Sequence, residues 1–392
     1  MLYFDHCAST PPYPEVIDTL AEVMKAHYAN PSSIHRAGAE ADKLIGRSRA
    51  LLGELFGVKP EEWLFTSGGT ESNNTAIKGI AKQYRTRGNH LITTQIEHAS
   101  VYDTFRQLER EGFKVTYLPV SRTGHVDAEQ LRQAMTDETI LVSIMHVNNE
   151  TGAVQPIEAI GRMLKASYPR TIFHVDAVQS IGKLPVALRD WGIDLFSGSA
   201  HKVRGPKGVG ILYVREGIQL YPLLTGGSQE RSFRAGTQNV PGIVASAKAF
   251  RLSIQSAKER KERMEKLRAK LADIVGSIPE LHMNGSENPR EMAPHIVHFS
   301  YPGMKPEVIV HLLEEHEIIA STKSACSSKD SKPSRVLLAM GAALPQASGG
   351  IRISFGDEHT EQDVETLGEA LKKMVEKLKP LERGITTAHE LR

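Results

Sequence analysis

Short apolar runs alternate with longer amphipathic segments between residues 64 and 214. The apolar runs predict seven strands, at residues 64–67, 90–95, 114–120, 140–146, 171–176, 195–198 and 208–214. Amphipathic stretches between them, such as residues 72–84 and 157–166, predict helices. This alternation is typical of an α/β fold in which helices cover a mostly parallel sheet. Only a short Gly/Pro loop joins the last two strands, which allows one antiparallel pair at an edge of the sheet.

The pattern changes after about residue 240. Residues 243–275 are rich in Lys, Arg and Glu and predict one long helix with a solvated face. Shorter segments follow, with strands predicted at 296–300, 318–321 and 351–355 and helices at 306–315, 334–340 and 361–378. The sequence therefore predicts a large α/β domain over residues 15–255, a smaller α+β domain built from residues 1–14 and 256–380, and a polar tail at 381–392.

The composition indicates an ordinary water-soluble protein, with 40% hydrophobic and 24% charged residues among 392. The formal net charge of +2 gives no argument for a nucleic-acid or membrane partner. No apolar run approaches the length of a membrane span. The two cysteines do not make a disulfide framework, so we expect a reducing, cytoplasmic setting.

Two residues at the ends of neighbouring strands suggest the chemistry. Asp176 ends an apolar run, and Lys202 ends the turn Ser-Gly-Ser-Ala-His-Lys at 197–202. Pyridoxal phosphate sites use this pair, because the lysine amine forms a Schiff base with the cofactor aldehyde. The acid holds the pyridine nitrogen protonated, so that the ring can accept electrons. We therefore expect a pyridoxal phosphate site at these strand ends.

Polar residues also follow the other predicted strands. Residues 66–72 (TSGGTES) join a strand to a helix, where glycines and the helix N-terminus favour an anion, although a plain capped turn fits the motif too. Ligands bind at the carboxyl ends of strands in such sheets, and polar residues at five strand ends point to one edge: Thr70, His98, Asn149, Asp176, Gln179, Ser199, His201 and Lys202. Taken alone, His98 fits a structural role better than it fits stacking on a cofactor ring.

Two further features could hold anions. The loop 226–237 carries two arginines and Thr237, and it could reach an anion in its own chain or in a neighbouring chain, or simply be solvated. Arg352 lies in an apolar strand, where a charge needs a partner. A substrate carboxylate, gripped by two parallel hydrogen bonds, and an internal salt bridge are equally good candidates for that partner.

The two cysteines lie in different settings. Cys326 is flanked by small and polar residues, with Lys323 and Lys329 near it in sequence, and nearby cations favour the reactive thiolate. Cys7 lies beside an expected strand, and we interpret it as structural. The 16 histidines show no metal-ligand spacing, so no metal site is expected.

These stretches together resemble the NifS/IscS-like cysteine desulfurases, a branch of the class V, fold-type I pyridoxal phosphate enzymes. The resemblance extends from Asp5 to about Leu378. It rests on eight motifs in order: TSGGTESNN, EH, MHVNNETG, HVDAVQS, SAHKVRGPKG, GGSQERSFRAGT, SACSS and GIRISFG. The loop around Cys326 resembles that of the group with a long catalytic-cysteine loop. Residues 322–323 and 203–204 depart from the common family pattern, which leaves the sulfur acceptor open.

The resemblance implies a role for each matched residue. Lys202 forms the Schiff base, Asp176 pairs with the pyridinium nitrogen, and His98 stacks on the ring; Cys326, Lys202 and His98 are the catalytic residues. The resemblance implies further cofactor contacts by Gly69, Thr70, Asn149, Gln179, Ser199 and His201. Thr237 would contact the cofactor from the other subunit of a homodimer. The substrate-binding residues are Arg352, Asn30 and Asn149.

The reaction implied by the family is the conversion of L-cysteine to L-alanine. The Cys326 thiolate takes the substrate sulfur as a persulfide and passes it to a protein acceptor, either an iron–sulfur scaffold or a tRNA-thiolation protein. Direct nucleic-acid binding is not expected. Alternatives with the same cofactor are a selenocysteine lyase and another class V aminotransferase or β-lyase. A non-catalytic relative would be expected to lack Lys202 or Cys326, and both are present.

Overall fold

The computed structural model describes residues 1–322 and 332–389, and Cys326 therefore lies outside the described residues. The described chain has twelve strands: β1 (Leu2–Tyr3), β2 (Trp63–Thr66), β3 (His90–Thr94), β4 (Lys114–Leu118), β5 (Thr139–Ser143), β6 (Ile172–Asp176), β7 (Leu195–Ser199), β8 (Gly210–Val214), β9 (His282–Met283), β10 (Ile296–Ser300), β11 (Ile318–Ile319) and β12 (Gly350–Ser354).

Twelve α-helices accompany these strands in the same described ranges. They are α1 (Pro14–Ala26), α2 (Arg36–Phe56), α3 (Gly69–Gln83), α4 (Ala99–Arg110), α5 (Ala128–Ala134), α6 (Ile157–Ser167), α7 (Val240–Gln255), α8 (Ala257–Gly276), α9 (Pro306–Glu314), α10 (Arg335–Ala339), α11 (Leu344–Ser348) and α12 (Glu361–His389). Among the described helices, none is both long enough and apolar enough to cross a bilayer.

The predicted strands between 64 and 214 form one seven-stranded sheet, in the order β2-β8-β7-β6-β5-β3-β4. Its pairs are parallel except those of β8, which runs antiparallel to both β7 and β2. The antiparallel β7–β8 pair is confirmed, but β8 is not the edge strand because β2 covers its outer side. All its strands except the edge strand β4 are buried from end to end, as expected for a sheet with helices on both faces. The mostly parallel α/β fold is confirmed.

A second core lies in the C-terminal part of the chain. The strands β12, β10 and β9 form an antiparallel sheet, and β1 pairs with β11. Phe4 from the N-terminus is fully buried in the same hydrophobic cluster as residues of α8, β10, β12 and α12. The large sheet packs its own clusters, with Phe173 and Phe196 at the centre of one. This separation supports the domain boundaries near residues 15 and 256, which stay a prediction.

The prediction of one helix over 243–275 is wrong. Helix α7 ends at Gln255 and α8 begins at Ala257, with Ser256 between them at φ −95° and ψ 7°. The Ser256 hydroxyl donates to the Leu252 carbonyl at 2.8 Å and accepts from Arg260 at 2.7 Å, which holds the break in place. Helix α7 is also largely buried, so only α8 matches the charged, solvated pattern.

Candidate active site

The carboxyl ends of the parallel strands open into a cavity of about 150 Å³. Residues after β3, β5, β6 and β7 reach it because the carboxyl ends of parallel strands meet at one edge of a sheet. The sheet wall, as we call this side, consists of nine residues predicted from sequence: Gly69, Thr70, His98, Asn149, Asp176, Gln179, Ser199, His201 and Lys202. The structure thus brings together all the residues predicted at these strand ends.

The opposite side, the terminal wall, is formed by Cys7 and Ala8 from the N-terminus and Arg352 from β12, with Asp5 paired to Arg352. Arg352 donates to the Asp5 carboxylate at 2.8 Å and to the Asn149 carbonyl at 2.8 Å. Its side chain is 1% exposed, so the carboxylate supplies the partner that a buried guanidinium needs. Both sequence interpretations thus find support, because Arg352 has an internal salt bridge and also lines the cavity.

Lys202 joins the two walls. It ends a single 3₁₀ turn, Ala200–Lys202, that follows β7 directly. Its side-chain nitrogen donates to the Cys7 carbonyl and, at 2.7 Å, to the Ala8 carbonyl. Main-chain oxygens of the terminal wall therefore hold the lysine of the sheet wall in place. They accept hydrogen bonds without supplying the full negative charge that a carboxylate would bring.

A hydrogen-bond network connects Asp176 with His98. Asp176 accepts from the Asn73 amide at 2.8 Å and from the Val178 backbone N–H at 3.0 Å. The Asn73 amide also donates to the Ser100 hydroxyl at 2.9 Å, and that hydroxyl lies 2.8 Å from His98 Nδ1. Asn73 on α3 and Ser100 on α4 thus orient the acid and the imidazole together.

The histidines of the site are neutral at pH 7. His98 Nδ1 caps α4 by accepting from the Ser100 backbone N–H at 3.1 Å, which leaves the ring proton on Nε2. Burial lowers the pKa of His98 below its ordinary value. Burial, with Lys202 and Lys207 nearby, also lowers the pKa of His201 to about 4. Neutral rings can stack on a cofactor or donate from one nitrogen without adding charge.

Glu97 underlies the sheet wall as a protonated acid. Full burial raises its pKa to about 8, although the Met145 backbone N–H and the Thr94 hydroxyl both donate to one of its oxygens. The Thr94 bond is 2.8 Å and the Met145 bond is 3.0 Å. The carboxyl group therefore stays neutral at pH 7 directly beside His98 in sequence.

The cavity suits a phosphate-bearing cofactor with a polar ring. Helix α3 begins at Gly69, where a Cβ atom would lie 2.7 Å from Val178 Cγ2, so only glycine leaves room above the helix N-terminus. In the described structure, three oxygens of cavity-lining side chains are buried without a hydrogen-bond partner: Asn73 Oδ1, Gln179 Oε1 and Ser199 Oγ. Unpaired buried oxygens are costly, and a bound polar ligand would satisfy them.

Two predicted site residues of the described chain do not line the cavity. Asn30 is exposed and accepts from the Ser32 backbone N–H at 2.9 Å, away from the cavity-lining residues. Thr237 is also exposed and does not line the cavity of its own chain. Cys326 lies outside the described residues. The roles of all three stay predictions.

Sequence reasoning missed Asn73, Ser100 and Asp5, and it interpreted Cys7 as structural although Cys7 lines the cavity. A signal existed for two of them. Asn73 follows Gly69 by four positions on one helix and so lies on the same face, and Ser100 is two positions after the capping His98. Asp5 had no local signal, because its partner Arg352 lies 347 positions away.

A cluster of possible metal ligands was also missed. His6, Glu358 and His359 place donor atoms within 4.8 Å of one another. However, His6 already lies 2.9 Å from Glu358 and 2.8 Å from Thr10, and His359 Nδ1 accepts from the Gly356 backbone N–H at 2.8 Å. This last bond places the neutral His359 proton on Nε2, and the cluster is best described as a hydrogen-bonded set.

Known proteins share this sequence and architecture. The class-V aminotransferase family matches residues 2–367. A cysteine desulfurase IscS of Clostridium botulinum is 41% identical over 375 residues, covering 95% of this chain and 94% of the relative. A cysteine desulfurase IscS of Methanosarcina thermophila is 42% identical over 378 residues, covering 96% and 93%.

Solved structures of similar proteins share the fold of this chain. A NifS-like protein superposes with a TM-score of 0.89 at 39% identity, covering 96% of this chain and 99% of that one. SspA in complex with cysteine superposes with a TM-score of 0.78 at 35% identity, covering 91% and 99%. The chain therefore belongs to the class-V aminotransferase family, as a pyridoxal phosphate-dependent enzyme of its cysteine desulfurase group.

Proposed function

We propose that Lys202 links pyridoxal phosphate covalently and that Asp176 bonds its ring nitrogen. The observation that carries this proposal is that Lys202, Asp176 and His98 line one cavity of about 150 Å³. When bound, the cofactor supplies an electron sink for bonds at the substrate α-carbon. The Asn73 and Val178 donors orient the Asp176 carboxylate toward its partner.

The other residues of the sheet wall are assigned the remaining contacts with the cofactor and the substrate. The neutral His98 ring would pack against the cofactor ring, and Gln179 and Asn149 would bond the ring substituents or the substrate. The N-terminus of α3 would hold the phosphate, because its macrodipole and backbone N–H groups favour an anion. Gly69 and Thr70 belong to this N-terminus, and Ser199 and His201 add side-chain donors from the end of β7.

Arg352 binds the substrate carboxylate. Its guanidinium lines the cavity and has a planar fork suited to two parallel hydrogen bonds. Asp5 and the Asn149 carbonyl accept hydrogen bonds from the guanidinium, so its direction is fixed before the substrate arrives. In the family pattern, Asn30, from a separate loop, also binds the substrate.

The substrate is L-cysteine, and the sulfur acceptor is Cys326. Both flanks of residues 323–331 are tied to the cavity, which supports this assignment. On one flank, Ser321 and Arg352 exchange backbone hydrogen bonds of 3.3 and 2.7 Å. On the other flank, the Ser334 hydroxyl donates to Glu150 at 2.6 Å, one residue from Asn149. The Cys326 thiolate takes the substrate sulfur, the cysteine C–S bond breaks, and the products are L-alanine and a persulfide on Cys326.

The persulfide sulfur then passes to a cytoplasmic protein acceptor, either an iron–sulfur scaffold or a tRNA-thiolation protein. The enzyme acts as a homodimer in which Thr237 contacts the phosphate bound by the other subunit. Exposed apolar side chains on α1 and the loop after it support a subunit interface, because Met24 is 60% and Tyr28 87% exposed. Mixing Thr237→Ala subunits with Lys202→Ala subunits tests this sharing, since only the mixed dimer retains one complete site.

One experiment tests the activity and the acceptor cysteine together. The holoenzyme is incubated with L-cysteine and no reductant, and its peptides are analysed by mass spectrometry. We expect a gain of one sulfur atom on the peptide that contains Cys326, with L-alanine formed. Cys7→Ser is the matched control and should keep that gain, whereas Cys326→Ser should lose it. Alanine or pyruvate without the gain would contradict the proposal and indicate a β-lyase or an aminotransferase.

A further inference from the structure

A second lysine contacts Lys202 from behind the cavity. Lys183 follows Gly182, which adopts φ +72°, and its ammonium donates to the backbone carbonyl of Lys202 at 3.0 Å. Part of the side chain faces an open groove, whereas the ammonium end is surrounded by protein. The Lys183 amine therefore contacts the main chain of Lys202, the residue proposed to bind the cofactor covalently.

A small polar cavity of about 30 Å³ lies beside this contact. Lys202 lines it as well as the main cavity, so the turn that holds Lys202 separates the two spaces. A volume of 30 Å³ holds about one water molecule. The ammonium end of Lys183 thus lies between this cavity and the Lys202 turn, surrounded by protein, where charges are screened less than in bulk water.

Lys183 has no carboxylate in salt-bridge contact within residues 1–322 and 332–389. The nearby Asp357 instead pairs with Arg204, Arg260 and Arg263. A positively charged ammonium group without an acid partner is costly to bury. An apolar side chain would fill the same space at lower cost. A lysine here is therefore better explained by an effect on Lys202 than by packing.

We propose that Lys183 is a positioning residue that fixes the Lys202 carbonyl and, by its charge, keeps the Lys202 nitrogen uncharged in the resting enzyme. This inference rests on the proposed role of Lys202. An uncharged amine is the form that bonds a carbonyl carbon and accepts a proton, and a neighbouring cation is an established way to favour it.

The ionisable groups around Lys183 define the pH range of this effect. The groups that act on it or that it acts on are Cys7, His201, Lys202, Arg260, His295 and Asp357. Burial lowers the pKa of Lys183 to about 8, against smaller opposing effects of Cys7 and Asp357. The positive charge behind Lys202 is therefore present at pH 7 and is lost as the pH rises through about 8.

The test is a pH titration of the visible absorption band of the holoenzyme. Lys183→Gln keeps a hydrogen-bond donor for the Lys202 carbonyl but removes the charge. Because a nearby cation disfavours protonation, we expect the apparent pKa read from the band to rise by about half a unit or more in this variant. Lys183→Arg should keep the wild-type value. Lys258→Met, on the rim of the same groove, is the matched control and should not shift it.

An unchanged apparent pKa in a fully loaded Lys183→Gln enzyme would overturn the proposal, because a merely structural role moves stability and cofactor loading alone. If Lys183→Gln does not fold, Lys183→Met and Lys183→Arg are compared in the same way. The proposed role of Lys202 is tested separately, since Lys202→Ala should lack the band altogether. A band that persists in Lys202→Ala would reject that role whatever the Lys183 variants show.

Discussion

The two walls of the cavity arise in different ways. The sheet wall comes from consecutive strand–helix units, each of which delivers one or two polar residues at a strand end, such as Asp176 after β6 and Lys202 after β7. The terminal wall joins Asp5 to Arg352 across 347 positions, through packing of the N-terminus on the C-terminal core. Local geometry thus places the groups proposed to hold the cofactor, and tertiary packing places the group proposed to hold the substrate.

The largest expected effect comes from breaking the sheet wall at Lys202. Lys202→Ala should lower turnover of L-cysteine by about 10³-fold or more and abolish the visible absorption band, since covalent attachment and proton transfer both depend on that amine. Alanine formation and the absorption spectrum are measured. Lys207→Ala, an exposed lysine of the same loop, is the control. Turnover within tenfold of wild type would contradict the assignment.

Breaking the terminal wall at Asp5 should instead affect the fold and substrate binding. Asp5→Ala leaves the buried Arg352 guanidinium without its carboxylate and should lower the free energy of unfolding by about 3 kcal/mol. The KM for L-cysteine should change as Arg352 loses its fixed direction. Urea denaturation measures the first effect and steady-state kinetics the second.

Asp5→Asn is the companion variant, because it keeps a hydrogen-bond acceptor for Arg352 while removing the charge. Its loss of stability should be smaller than that of Asp5→Ala. Equal stability of Asp5→Ala and the wild type would show that the salt bridge does not hold the terminal wall.

The protonated Glu97 gives the sheet wall a pH dependence. Its pKa is raised from 4.5 to about 8, so the folded protein retains a proton that the unfolded chain releases. Stability contributed by this group is therefore lost as the pH rises from about 4.5 to 8. Glu97→Gln mimics the neutral acid, and its stability relative to wild type should rise by about 3 kcal/mol between pH 5 and pH 8.

Chemical denaturation at both pH values measures this difference. Glu109→Gln, on the exposed side of α4, is the control. If the stability of Glu97→Gln relative to wild type is the same at pH 5 and pH 8, Glu97 is not a neutral acid in the folded protein.

The smallest expected effect is at Asn73. Asn73→Ala removes the donor to Asp176 and the link to Ser100, and kcat/KM should fall about tenfold, as for the loss of one buried hydrogen bond to a charged group. Gln83→Ala at the exposed end of the same helix is the control. An unchanged kcat/KM would show that the network does not orient Asp176.

The contrast between the sheet wall and the terminal wall explains which site residues could be predicted from the sequence. Each strand of the large sheet is a short apolar run, and polar residues at its end fall at one edge by topology, so Asp176, Ser199 and Lys202 were predictable. The family resemblance supplied their roles. The salt bridge of Arg352 with Asp5 and the contact of Lys183 with Lys202 depend on how distant segments pack, for which single positions carry no signal. The break at Ser256 was missed because a serine in a charged run does not interrupt the helical pattern.

The central claim is that the cofactor is attached to Lys202 and not to Lys183, the second lysine beside it. Borohydride reduction of the holoenzyme makes the lysine–cofactor linkage permanent, and peptide mass spectrometry then locates the added mass. We predict the phosphopyridoxyl group on the peptide that contains Lys202. Its presence on Lys183, or on any other lysine, would contradict the proposed site.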